Sequence, residues 1–208
     1  VGAGNIAKIY VAAFAAIPDA RVTVVCSRTE ATGRALAEKC GADWEQDFHK
    51  AVSRDDVDAV VVATPSGTHA DIAVAAAQAG KHLLVAKPLD ITLARVDSIL
   101  NAVAQTGVVL ASVYPLRFTE GARRAKEAMV AGRLGKLALA DVSVKWFRPQ
   151  SYYDNPWRGR WAVDGGGALM NQAIHNVDLV QWLAGPVSSV VGRTTTLAHQ
   201  METEDTMS

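Results

Sequence analysis

Gly2-Ala3-Gly4-Asn5-Ile6-Ala7 sets two glycines and a third small residue at the spacing of a phosphate-cradling turn. In such a turn the first glycine makes the bend and the second lets backbone approach a pyrophosphate. The third small residue lets the following helix pack on its strand. The first N–H groups of that helix and its positive dipole end then face the anion. Gly2, Gly4, Asn5 and Ile6 are therefore expected at a dinucleotide. Where the second strand should end, the chain has Ser27-Arg28-Thr29 and no carboxylate for a ribose 2'-hydroxyl. A hydroxyl beside a guanidinium suits a 2'-phosphate, so the expected cofactor is NADP or NAD, with a lean towards NADP.

Three further places carry chemistry. Thr64-Pro65-Ser66 and Lys87 each follow an apolar strand-like run, the edge at which open parallel sheets bind ligands. A lysine held there can donate to a substrate oxygen and stabilise developing alkoxide charge; Pro88 fixes the chain direction just after it. In a helix-like stretch from Ala168, Asn171, His175 and Asp178 fall at i, i+4 and i+7 on one face. A histidine is the natural proton acceptor near neutral pH. Tyr152, Tyr153, Trp157, Arg158 and Trp161 crowd a long loop from Arg148 to Trp161. Aromatic faces there suit sugar rings, and Arg reads hydroxyl or carboxylate groups, so Tyr152, Trp157 and Arg158 are expected at the substrate. The five histidines lack ligand spacing with Cys or carboxylates, so no metal is expected.

These residues need elements to hold them. Apolar runs at Val22–Cys26, Ala59–Ala63, His82–Val85 and Val108–Val113 alternate with helix-like stretches at Glu30–Cys40, His69–Ala79 and Thr92–Gln105. Strands apolar throughout, separated by helices, predict a parallel sheet covered on both faces. After Tyr114-Pro115 the character changes: a helix is expected over Glu120–Ala131, an alternating strand over Leu137–Phe147, a helix over Ala168–Ala184 and a strand over Val187–Thr196. The fold class is α/β, a doubly wound Rossmann domain over residues 1–113, followed over 114–208 by an incomplete α+β substrate domain with an open mixed sheet.

The chain of 208 residues is half hydrophobic and has 21 basic and 21 acidic residues without clustering, which gives no footprint for nucleic acid or anionic lipid. Two cysteines offer no disulfide framework, so a reducing, cytoplasmic setting is expected. No apolar run reaches the roughly 18 residues of a membrane helix. The abrupt start at Val1 and the strand-like end lead us to expect further sequence on both sides.

Four stretches, in order, resemble the Gfo/Idh/MocA oxidoreductases: Gly2–Ala7, Ala63–His69, Ala86-Lys87-Pro88, and Gly165–Asp178. The resemblance covers essentially the whole chain. It implies that Thr64, Pro65, His69 and Lys87 lie along the cofactor and that Lys87 is the active-site lysine. It also implies that His175 takes the hydroxyl proton, with Asn171 orienting it, and that Lys87 and His175 both meet substrate. The expected reaction is reversible hydride transfer at a secondary hydroxyl of a sugar, inositol or uronic acid, by a homodimer or homotetramer. This chain departs from the family at Ala86, where Glu is frequent, at Asn171, where Asp is frequent, and at Pro115, where Gln or Asn is frequent. Two alternatives stay open: an NAD-dependent glycoside hydrolase of the same family, and a noncatalytic dinucleotide-binding sensor, which those departures favour.

Overall fold

The computed structural model describes residues 1–208, in two units, Val1–Val113 and Tyr114–Ser208. The first unit is built from helices α1 (Asn5–Ala15), α2 (Glu30–Cys40), α3 (Phe48–Val52), α4 (His69–Gln78) and α5 (Leu93–Thr106), and from strands β1 (Val24–Cys26), β2 (Asp43–Glu45), β3 (Ala59–Val62), β4 (His82–Val85) and β5 (Leu110–Ser112). All its strand pairs are parallel: β1 with β2, and β3 with β4 and β4 with β5. Val1 and Gly2 lie between the two sets. The Gly2 amide donates to the Cys26 carbonyl at 2.8 Å, the Val1 amino group to that of Val61 at 2.6 Å, and the Ala63 amide to that of Val1 at 2.8 Å.

The β3 and β4 strands read as apolar because most of their residues are covered. Val62, Val85 and Ile99 are sealed from solvent, together with Ala73, Ala76 and Ala77 on one side of α4. Alanines on that face let the helix sit close to β3 and β4, against which it packs along with α5. Gly41 and Gly107 end α2 and α5 in the left-handed conformation that a residue without Cβ adopts without strain. The short β2 and α3 were not anticipated, since three residues of strand and five of helix carry too little periodicity to register.

The second unit contains α6 (Glu120–Val130), α7 (Trp161–Asp164), α8 (Ile174–Ala184) and an antiparallel pair, β6 (Thr194–Thr195) with β7 (Thr206–Met207). The expected strand over Leu137–Phe147 is chain without a ladder, and of Val187–Thr196 only β6 is paired. An alternating sequence becomes a strand only when a neighbour supplies hydrogen-bond partners. Within residues 1–208 no segment does so, and Leu139, Phe147, Val190 and Val191 stand exposed. The open mixed sheet is represented here by β6 and β7 alone. The single helix expected over Ala168–Ala184 is two pieces, a π-helical turn over Ala168–Ala173 running into α8. No helix is long and apolar enough to cross a membrane.

Candidate functional site

In the first unit the glycine turn has the shape its sequence implies. Gly2 has φ +107°, and a Cβ there would lie 2.5 Å from the Ala63 carbonyl oxygen, so the position admits only glycine. Gly4 is the N-cap of α1, with no side chain capping the helix and nothing within 4 Å of where its Cβ would be. Open space over an uncapped helix N-terminus fits a dinucleotide phosphate, bordered by Gly4 and the exposed Asn5 and Ile6. Ser27 follows β1, and its hydroxyl donates to the Thr29 carbonyl at 3.0 Å and accepts from Trp44 Nε1 at 3.3 Å. Gly33 of α2 closes over the same hydroxyl, since a Cβ there would come within 2.2 Å of it. Arg28 is exposed, with its carbonyl held by Gln46 Nε2.

Beyond β3, the Thr68 hydroxyl donates to the Pro65 carbonyl at 2.7 Å and accepts from the Thr64 hydroxyl at 2.8 Å, which locks the turn at Thr64-Pro65. His69 is buried, and both ring nitrogens lie 2.9 Å from backbone carbonyls, Nδ1 from Pro88 and Nε2 from Thr64. His69 ties the Thr64 turn to the segment after Lys87. Asp90 makes a second tie that sequence reasoning missed: its carboxylate accepts from the Ala70 and Ile91 amides at 2.8 and 2.7 Å and from Arg95 Nε at 2.8 Å. Hydrogen bonding by Asp71, added to that by Asp90, holds the Arg95 guanidinium above its ordinary pKa. Lys87, half-buried, lies two residues beyond β4 and is joined to Pro88 by a cis bond, and the Ala86 amide before it is bonded to the Val62 carbonyl.

In the second unit the glycine run has a different task. Gly166 and Gly167 are buried, and a Cβ on Gly167 would lie 1.7 Å from the Glu204 carbonyl oxygen. Into that close approach Glu204 brings three bonds. Its carboxylate accepts from the Gly167 and Leu169 amides at 3.0 Å each, and its carbonyl accepts from the Ala168 amide at 2.8 Å. The buried Glu204 thus satisfies amides at the start of the π-helical turn that bears Asn171. Asn171 Nδ2 reaches the Gly166 carbonyl at 3.4 Å.

His175 lies in the first turn of α8, with the Tyr114 ring edge-on to its imidazole at 6.2 Å. One helical turn on, Asp178 is bonded by Arg117 Nε at 2.7 Å, and that bond holds the Arg117 guanidinium above its ordinary pKa. The turn Tyr114–Arg117 therefore braces α8 beside the histidine. The pairing spans 61 residues and has no local sequence signal.

The aromatic loop is ordered by contacts of its own. Arg158 lies 3.8 Å from the centre of the Tyr152 ring and 4.9 Å from that of Trp157, and Arg148 lies 5.1 Å from that of Tyr152. Gln172 links loop to helix, accepting from Arg148 at 3.2 Å and donating to the Tyr152 hydroxyl at 3.3 Å. Behind the loop, His199 Nε2 meets the Arg148 carbonyl at 2.8 Å and Nδ1 meets Asp205 at 3.0 Å. The Arg148 carbonyl, and then Asp205, raise the His199 pKa. Burial works against ionisation of Asp205, but the Leu197 and Ala198 amides and His199 together hold it well below the usual carboxylate range.

Family models match both units: an oxidoreductase family with an NAD-binding Rossmann fold over residues 1–114, and the GFO/IDH/MocA C-terminal domain over residues 122–208. The chain belongs to the Gfo/Idh/MocA oxidoreductase family. Among solved members, the WlbA dehydrogenase from Bordetella pertussis, in complex with NADH and UDP-GlcNAcA, is 38% identical with a TM-score of 0.95, over 99% of this chain and 60% of that one. Inositol 2-dehydrogenase of Rhizobium meliloti (strain 1021) is 30% identical over 90% of this chain and 55% of its own length. The dTDP-3,4-didehydro-2,6-dideoxy-alpha-D-glucose 3-reductase of Streptomyces violaceoruber is 32% identical over 86% and 52%. The chain spans about half the length of the curated relatives it matches.

Proposed function

We propose that this chain belongs to an NAD(H)-dependent oxidoreductase that interconverts a secondary hydroxyl and a ketone on a sugar-type substrate, a nucleotide-linked uronic acid being the favoured class. The likeness to a dehydrogenase solved with NADH and UDP-GlcNAcA, across 99% of this chain, carries the reading. Gly2, Gly4, Asn5 and Ile6 hold the dinucleotide phosphates, with the Thr64-Pro65 turn alongside. When bound, the nicotinamide supplies the hydride acceptor or donor. Lys87 donates a hydrogen bond to the substrate oxygen and stabilises its negative charge. His175 takes the hydroxyl proton, and Asn171 keeps its helix face polar without adding a charge.

NAD(H) is favoured over the NADP that Ser27-Arg28 suggested, because the Ser27 hydroxyl is already committed to Trp44 and Thr29 and Arg28 is left to serve a 2'-phosphate alone. The test is absorbance at 340 nm with full-length protein, NAD or NADP in turn, and a panel of UDP-GlcNAcA, inositols and free sugars. Reduction that needs substrate and is lost in Lys87→Ala is the expected result. Cofactor binding with no turnover across the panel would replace this reading with that of a dinucleotide-binding sensor, which Ala86 and Asn171 would then explain.

A further inference from the structure

Arg148 and Arg158 are two cations gathered on one phenol ring, and neither forms an ion pair, although the Asp164 and Asp205 carboxylates lie behind the loop. Both guanidinium carbons lie against Tyr152, at 5.1 and 3.8 Å from its ring centre, which puts the two charges within about 9 Å of each other. The other arginines of this unit that form ion pairs do so elsewhere: Arg117 with Asp178, Arg124 with Glu120 and Arg160 with Glu202. Arg158 makes no hydrogen bond within the chain, and Arg148 donates only to the neutral amide of Gln172. The Nε of each is sealed from solvent without an acceptor.

Like charges brought together, partly desolvated and left without an acceptor oppose folding unless a ligand uses them. The aromatic faces compensate in part by cation–π attraction, which holds the guanidinium planes in place without consuming their hydrogen-bond donors. The backbone beneath them is also fixed. Gln150 and Gln200 bond reciprocally, Nε2 to carbonyl at 3.2 Å and amide to Oε1 at 2.9 Å, and His199 holds the Arg148 carbonyl. Gln172, one residue from Asn171, joins this cluster to the turn leading to His175. Fixed, forked donors whose hydrogen-bonding capacity is unspent are what binds a carboxylate or phosphate oxygen pair.

We propose that Arg148 and Arg158 form a two-guanidinium subsite for an oxyanion carried by the substrate. The subsite rests on the reading of the substrate given above, which offers two sources of that chemistry: the carboxylate of a uronic acid and the diphosphate of a nucleotide sugar. Tyr152 and Trp157 are the platforms that hold the arginines, and Gln172 sets the depth of Arg148.

The test is calorimetric titration of full-length, NADH-loaded protein with UDP-GlcNAcA, UDP-GlcNAc and free N-acetylglucosaminuronic acid, in wild type, Arg148→Gln, Arg158→Gln and Arg158→Lys. Loss of a charge-assisted contact weakens the matching ligand by about 10- to 100-fold. If the carboxylate is bound, the Gln variants weaken both uronic acids and spare UDP-GlcNAc. If the diphosphate is bound, they weaken both UDP sugars and spare the free uronic acid. In either case Arg158→Lys keeps part of the affinity. Equal weakening of all three ligands, or none, overturns the subsite. Turnover in parallel separates the two proposals: selective binding loss without any hydride transfer removes the redox reading alone, and turnover indifferent to both arginines removes the subsite alone.

Discussion

Asp90→Ala should be among the most damaging single changes in the first unit, although Asp90 touches no expected ligand. Its side chain is fully buried and accepts three hydrogen bonds, from the Ala70 amide in the first turn of α4, from its neighbour Ile91 and from Arg95. The substitution leaves the buried Ala70 amide without an acceptor and Arg95 with only the exposed Asp71 and the Gly67 carbonyl. Removing one partner of a buried ion pair costs about 3–5 kcal/mol, against a total stability of about 5–15 kcal/mol for a typical domain. At about 4 °C per kcal/mol for a unit of this size, the melting temperature should fall by roughly 10–20 °C. Asp90→Asn keeps the shape and one oxygen acceptor but loses the charge, and should cost about half as much. Thermal and urea unfolding of full-length protein measure the loss, and amide exchange at Ala70 locates it. A loss below about 1 kcal/mol for Asp90→Ala would refute the reasoning, because the three bonds would then contribute no more than exposed ones. The effect reaches function as well: His69 and Asp90 both tie the start of α4 to residues 88–90, so the variant should also weaken substrate turnover through the adjoining Lys87.

The glycine turn gives a second prediction. Gly2→Ala must place a Cβ 2.5 Å from the Ala63 carbonyl at a positive φ, so NADH affinity measured by fluorescence quenching should fall at least about tenfold, whereas Gly4→Ala, with open space around it, should fold normally and lose affinity only by crowding the phosphate. Arg117→Met should strand the Asp178 carboxylate and loosen α8, lowering stability by about 2–4 kcal/mol in chemical unfolding, with the pH dependence of turnover altered because His175 lies one turn away. The His199–Asp205 contact should give the aromatic loop a pH window. The raised His199 contributes fully below its unfolded pKa of about 6.5 and loses that contribution as pH rises through its folded value; the depressed Asp205 contributes above about 3.9 and loses it as pH falls. Amide protection in residues 148–153, corrected for the intrinsic pH dependence of exchange, should therefore be greatest between about pH 4 and 6.5, and His199→Asn should remove its fall on the alkaline side.

What the sequence made legible was whatever is local. Parallel strands show as short apolar runs because both faces are covered, and helix ends show as glycine because Gly41 and Gly107 adopt a left-handed backbone. Alternation over Leu137–Phe147 was equally visible, but a strand is a property of a pair, and the partner is not written in the same segment. The site divides in the same way. The Gly2–Ala7 turn, Lys87 at a strand end and His175 on its helix all follow from order and spacing. The contacts that position them join residues far apart: Asp90 with Ala70, Arg117 with Asp178, Glu204 with Gly167. His69 is legible as part of a family motif, whereas its place between the Pro88 and Thr64 carbonyls is not.

The two glycine clusters show why a motif needs its surroundings before it can be given a role. Gly4 and Gly167 each precede a helical turn, and each looks like a place where backbone must come close to something. Around Gly4 a Cβ would meet nothing within 4 Å, so open space lies at a helix end whose N–H groups no side chain caps. Around Gly167 a Cβ would collide with the Glu204 carbonyl oxygen, and the space is filled by the protein itself. The Glu204 carboxylate there occupies the position an anionic ligand would take at a helix N-terminus. An anion at the second turn would therefore have to displace a buried carboxylate that already satisfies the amides, whereas at the first it meets free donors. This difference separates a binding turn from a structural one. It supports the proposed placing of the dinucleotide at Gly2–Ala7, and Gly165–Gly167 are left to fix the turn that leads, through Asn171, to His175.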